Sequence, residues 1–357
     1  VIVDLDDAAA LRAHDPAGML EAIAAMPRHC REGYEAGTGA AGLPGADGVT
    51  AITICGMGGS AIAGDAVHGL YRGRAIVPVE VVRGPELPAY CGRNTLVICS
   101  SYSGGTAETL ACFREALERG CRVIPVTSGG ALATSATEAG LGIVNIPGGG
   151  MPRAAFGRLT FAILGALESV GLLPPMADDV ERAAAHLETR GAAFAPDVPR
   201  VSNPAKDLAA RIGERVPVIW GAAGMASVAA ARWKAQCNEN AKIPAWSSAL
   251  PELDHNEVVG WAPGTGRGTF LIALRHEEEH PEVAARFPIS LEIVRDAGAV
   301  TQEIHAEGGT MLARFLSLVL LGDFVTTYHA LARAVDPTPI EAILRLKAFL
   351  ESESHPG

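Results

Sequence analysis

Positive charge is scarce in this chain. Its 357 residues carry 29 lysines and arginines against 40 aspartates and glutamates, a formal net charge of −11. No stripe of clustered basic residues is present to hold a phosphate backbone, so a nucleic-acid partner is not expected. An anionic small ligand would need a local cation or backbone donors instead. Paired cysteines are lacking too. The seven, at positions 30, 55, 91, 99, 112, 121 and 237, show no C-x-x-C spacing, which suits free thiols in the reducing cytoplasm. No apolar run reaches the roughly 18 to 20 residues a bilayer demands. The opening "VIVDLDDAAALRAHD" is acidic where a signal peptide would be basic, so neither a membrane partner nor export is expected. Zinc spacing is present only formally, as H-E-x-x-H within "RHEEEHP" at 275–281. Pro281 disfavours helix at His280, and the window has no apolar helical stripe, so a solvated loop is expected and no metal or other cofactor.

Apolar residues are plentiful. At 48% hydrophobic, a chain of this length is expected to divide into two well-buried domains. "TAITICG" (50–56) reads as a strand, followed by a glycine turn and a helix in "MGGSAIAGDAVHGLYRG". "TLVICSSYSGGTAETLACFREAL" (95–117) repeats that plan, and "CRVIPVTSG" (121–129) and "GIVNIP" (142–147) add two more strands. A long helix is predicted over 152–173, then two connecting helices. From 216 the order begins again, with "VPVIWGAAGMASVAAARWKAQ", "GTFLIALRHEEEH" and "AVTQEIHAEGG" matching the first half. Alternating strands and helices imply parallel sheets covered on both faces. The expected fold is therefore α/β: two doubly wound parallel-sheet domains related by internal duplication, over 1–175 and 213–357, joined by helices at 176–212.

The halves differ chemically. Where the first has "SSYSGGT", the second has "LRHEEEHP", whose glutamates would repel an anion. Ser101, Ser103 and Thr106 offer hydroxyls, Gly104 and Gly105 let backbone N–H groups approach, and a helix opens directly behind them. That combination can hold a phosphate without lysine; an ordinary N-cap with turn glycines would read the same way. Gly58, Gly59 and Ser60 in "GMGGSAIAGD" form a second glycine turn near a ligand. Its spacing misses the dinucleotide fingerprint, and it lacks the lysine of a nucleotide P-loop.

The segment "CNENAKIPAWSSALPELDHNEVVGW" (237–261) gathers ionisable groups within apolar surroundings. Glu239 ends an apolar helix and is placed to enter a cleft between the sheets, where burial would raise a carboxyl toward neutrality and suit it to proton transfer. His255 sits on a polar loop and can both give and take a proton. The chain has only four lysines, at 206, 234, 242 and 347. Lys347 lies on an amphipathic helix predicted to be capped at Thr338 with Pro339 first. Lys242 is expected to support the carboxylate. Arg153 opens the long apolar helix, where a cation opposes the dipole unless something negative answers it.

Taken in order, "GMGGSAIAGD", "SYSGGTAETL", "GGGMPRAAFG", the 237–261 segment and "DPTPIEAILRLK" resemble the bifunctional phosphoglucose/phosphomannose isomerase family of the sugar isomerase (SIS) superfamily, over about residues 20–350. The resemblance implies metal-independent interconversion of glucose or mannose 6-phosphate with fructose 6-phosphate through a cis-enediol. It further implies that Glu239 is the base, that His255 and Lys347 open the ring, and that Arg153 stabilises the enediolate. It implies a homodimer in which His255 reaches the partner subunit's site. Two positions depart from the family pattern: Gly105 stands where asparagine is usual, and Met151 where glutamine is usual. An isomerase of another sugar phosphate, or a phosphosugar-binding regulator, are the other readings of this pattern.

Overall fold

The computed structural model describes residues 3–73 and 75–354. Three helices come first, α1 (Ala8–His14), α2 (Met19–Ala24) and α3 (Met26–Thr38). The first alternating run is β1 (Ala51–Cys55), α4 (Gly59–Tyr71), β2 (Val79–Val82), β3 (Thr95–Ser101), α5 (Ala107–Glu118), β4 (Arg122–Thr127), α6 (Gly130–Glu138) and β5 (Val144–Asn145). Helices α7 (Phe156–Ser169), α8 (Ala177–Ala193) and α9 (Pro204–Ile212) lead to the second run. It comprises β6 (Val216–Ala222), α10 (Met225–Glu239), β7 (Trp246–Leu250), β8 (Thr269–Arg275), α11 (Pro281–Ala284), α12 (Phe287–Asp296) and β9 (Val300–His305), followed by α13 (Met311–Ala332) and α14 (Glu341–Ser354).

The strands form two parallel sheets, ordered β2-β1-β3-β4-β5 and β7-β6-β8-β9. Apart from β5 the orders correspond, so the duplication read from the sequence is borne out in the topology. Every residue of β1 and β3 is buried, because central parallel strands are covered on both faces and therefore read as unbroken apolar runs. The sequence reading missed β2 and β7. Both are edge strands, half-exposed, with sequences VEVV and WSSAL, and an edge strand shows no such run.

Helices α4 and α10, the first of each half, pack together, close enough that a Cβ on Gly69 would lie 3.0 Å from Val228. Helix α3, which no motif announces, lies against α7 at backbone distance: a Cβ on Gly33 would fall 2.3 Å from the Arg158 carbonyl oxygen. Three expectations are corrected. Helix α13 is long and apolar enough to cross a membrane, although it is largely buried within the protein. The "RHEEEHP" segment is not simply a solvated loop. The side chain of its Glu279 is buried and paired with Arg275 at 2.8 Å, and His280 caps α11. The helix predicted from residue 152 begins with a 3-10 turn, Pro152–Ala155, before α7, as helix starts often do.

Candidate active site

In parallel α/β sheets the loops beyond the carboxyl ends of the strands form the ligand crevice. Here three such loops touch. The turn after β1 meets the end of β3, since a Cβ on Gly56 would lie 3.1 Å from the Ser100 carbonyl oxygen. The same turn meets the 3-10 turn that carries Arg153, with Gly59 similarly 3.2 Å from the Pro152 carbonyl oxygen. The Gly150 N–H donates to the Tyr102 hydroxyl at 3.0 Å, joining the 148–150 glycines to the 101–106 loop.

Within that loop Ser101 and Thr106 share a hydroxyl hydrogen bond of 2.8 Å, and the Gly104 N–H donates to Ser101 Oγ at 3.1 Å. Ser103 and Gly105 are exposed, linked by a bond from the Gly105 N–H to Ser103 Oγ. Thr106 is the N-cap of α5 without a side-chain capping bond. The N–H groups of Ala107, Glu108 and Thr109 make no hydrogen bond among the described residues, so the positive end of the helix is open to an anion. Gly58 adopts φ +52°, a conformation that favours glycine, and is the N-cap of α4; Ser60 is buried beneath it.

Arg153 connects this crevice to the second half. It is only 5% exposed. Its Nε donates to Asn240 Oδ1 at 2.7 Å, and its Nη2 to the carbonyl oxygens of Pro337 and Thr338 at 2.6 and 2.9 Å. Nη1 makes no hydrogen bond among the described residues. Burial disfavours the charged guanidinium and lowers its pKa, while the carboxylates of Glu239 and Asp336 oppose that loss. Glu239, the last residue of α10, is half-buried and lies within electrostatic reach of Arg153. Lys242, at φ +56°, donates its Nζ to the Glu239 backbone carbonyl and, at 2.9 Å, to that of Pro337. It braces the main chain at Glu239 rather than the carboxylate. Burial lowers its pKa, and Arg153 nearby lowers it further. Beneath lies a buried ion pair, Arg232 to Asp323 at 2.6 Å, with Arg232 also donating to the Arg153 carbonyl oxygen at 3.0 Å and Gln236 to Asp323 at 3.0 Å.

Sequence-predicted residues thus fall into two groups. A chain of contacts links the 101–106 loop, the Gly58–Ser60 turn and Arg153, and Arg153 in turn reaches Asn240 beside Glu239. His255, in a 3-10 turn after β7, is exposed, as is Lys347 on α14. Among the described residues no hydrogen bond or ion pair ties either to that group. Helix α14 starts at Glu341, not at Thr338. The Pro337 and Thr338 carbonyls are occupied by Arg153 and Lys242, and the Thr338 N–H turns back to Asp336 Oδ1 at 2.8 Å. Asn240, Asp336 and the Arg232–Asp323 pair were not anticipated as site residues. Only the polar cluster at 237–242 gave any signal for them.

Residues 201–350 match the family model described as the bacterial phospho-glucose isomerase C-terminal SIS domain. A bifunctional phosphoglucose/phosphomannose isomerase from Caldicellulosiruptor bescii is 36% identical over 331 residues, covering 92% of this chain and 98% of that protein. This chain belongs to that family. A second bifunctional phosphoglucose/phosphomannose isomerase, from Aquifex aeolicus, is 36% identical over 305 residues, 85% of this chain and 91% of its own. The crystal structure of a glucose-6-phosphate isomerase like protein from Thermus thermophilus superposes with a TM-score of 0.63 at 20% identity, over 97% of this chain and 99% of the other, which is a likeness of fold. Membership of the bifunctional phosphoglucose/phosphomannose isomerase family agrees with the resemblance carried by the five sequence motifs.

Proposed function

We propose that the protein interconverts glucose 6-phosphate and mannose 6-phosphate with fructose 6-phosphate through a cis-enediol. The observation that supports this reading is the placing of Arg153, whose 3-10 turn touches the Gly59 turn of the first half and whose Nε donates to Asn240, the residue after Glu239, at 2.7 Å. The substrate phosphate would lie on the α5 N-terminus and the hydroxyls of the 101–106 loop. Its open-chain carbons would then face Glu239, which removes the proton from one carbon and returns it to its neighbour. Negative charge developing on the enediolate oxygens is answered by Arg153, a donor already fixed before reaction. Because the enediol is planar at C2, rotation about the C2–C3 bond lets one base serve both epimers.

Among the described residues of one chain, neither His255 nor Lys347 is hydrogen-bonded or ion-paired to the group around Arg153. His255 and Lys347 are proposed to open the sugar ring, with His255 supplied by the partner subunit of a homodimer. All seven cysteines are free thiols, which suits a cytoplasmic protein. Glu239→Gln is expected to lower kcat by about 10²- to 10⁴-fold while hexose 6-phosphate still binds; turnover at the parental rate would refute the assignment. His255→Ala and Glu239→Gln proteins, each impaired alone, should regain turnover when subunits are exchanged between them, since one site of the mixed dimer would then be intact. No recovery would refute the shared site.

A further inference from the structure

We propose that Asn240 is a positioning residue that fixes the Arg153 guanidinium toward the enediolate, an inference resting on the role given to Arg153 above. Asn240 is fully buried and follows Glu239 directly. Its Oδ1 accepts the Arg153 Nε–H at 2.7 Å. Its Nδ2 donates to Thr326 Oγ1 at 3.3 Å and to Thr327 Oγ1 at 3.4 Å. Those hydroxyls spend their own hydrogens on the α13 backbone, Thr326 on the Gly322 and Asp323 carbonyls at 2.9 and 3.1 Å and Thr327 on that of Asp323 at 2.8 Å. Each threonine is therefore an acceptor toward Asn240, and the amide has one satisfied orientation, with oxygen toward arginine. The chain of bonds runs from a buried helix backbone through two hydroxyls and one amide to the guanidinium.

This matters because Nε and Nη2 are both engaged, and the plane of the guanidinium is set by them together. A planar fork held on one edge presents its remaining donor, Nη1, in one direction. Since Asn240 adjoins Glu239 in the chain, the group that accepts the proton and the group that meets the charge share one anchor. A displacement of about 1 Å in such a group can cost on the order of 100-fold in rate.

The test uses full-length enzyme and two probes. One is a five-carbon aldonic acid 5-phosphate, whose carboxylate imitates the planar enediolate; the other is a hexitol 6-phosphate, which carries no charge at that end. Asn240→Ala is expected to lower kcat about 10- to 100-fold, leave KM within about twofold, weaken the aldonate by the same factor as kcat and leave hexitol phosphate binding unchanged. Asn240→Asp, which keeps an acceptor for Nε but has no hydrogen to donate to the two threonines, should recover only part of the loss. If Asn240→Ala does not fold, Thr326→Val/Thr327→Val releases the amide while leaving Oδ1 in place, and should show the same selective loss. Parental kcat and aldonate affinity, or equal losses for both probes, would overturn the proposal. Arg153→Met separates the two layers. If it is unimpaired, the role of Arg153 itself fails. If it is impaired while a folded Asn240→Ala is not, only the positioning role fails.

Discussion

Gly104 offers the sharpest test of the phosphate loop. It sits at φ +66°, where an alanine costs roughly 1 to 2 kcal/mol. An added Cβ would also lie 1.8 Å from the Gly129 carbonyl oxygen and 2.9 Å from Thr127 Oγ1. Neither obstacle can swing away: the Gly129 carbonyl accepts from Thr127 Oγ1 at 2.9 Å, and the Leu132 N–H holds the Gly104 carbonyl at 2.9 Å. A carbon and an oxygen need about 3.3 Å, so the loop would have to move by about 1.5 Å. That displacement exceeds the tolerance of a hydrogen bond. Losing one bond to a charged phosphate costs about 1.5 to 3 kcal/mol, which is about 10- to 150-fold in affinity. Steady-state assays with each hexose 6-phosphate should therefore show a KM raised by that factor for Gly104→Ala. The neighbouring Gly105→Ala, where nothing lies within 4 Å of the new Cβ, should leave KM within about twofold because the loop need not move. Equal behaviour of the two variants would refute the reasoning that this loop holds the phosphate.

Two further outcomes concern stability. Asp323→Ala strands the buried Arg232 charge and should cost about 3 to 5 kcal/mol in chemical denaturation, whereas Arg232→Met/Asp323→Leu together should cost much less; equal losses would contradict the pairing. Burial, aided by Arg158, holds the His29 imidazole down to about 4 from 6.5, with Glu32 partly opposing. The unfolded chain then binds the extra proton between those values. Stability is full above pH 6.5 and falls as pH drops toward 4, by up to about 3 kcal/mol. His29→Gln should show a shallower acid loss in thermal unfolding, and an identical pH profile would refute the assignment.

The parallel sheets and the duplication were legible because buried central strands such as β1 and β3 write themselves as apolar runs, and glycine turns mark where helices begin. Edge strands β2 and β7 were not, since a glutamate interrupts VEVV and two serines interrupt WSSAL, so neither is an unbroken apolar run. At the site, Glu239, Arg153 and the two glycine loops carried local signals of charge in apolar surroundings or of φ freedom. Asn240 and Asp323 did not. A buried amide or carboxylate is recognisable only once its partners, 87 and 91 residues away in Arg153 and Arg232, are brought beside it. The misplaced start of α14 has a similar origin: local capping rules favoured Thr338, but side chains from two other elements had already claimed the carbonyls that a helix there would use.

The sharing of the Pro337 carbonyl by Arg153 and Lys242 has a practical consequence for engineering. A deletion ending beyond Ile340 spares the acceptors on which both cations rest, so it removes the terminal helix as a separable module. A deletion reaching Pro337 instead unseats two positive groups at once, and its kinetic effects would report on the crevice as much as on the lost helix.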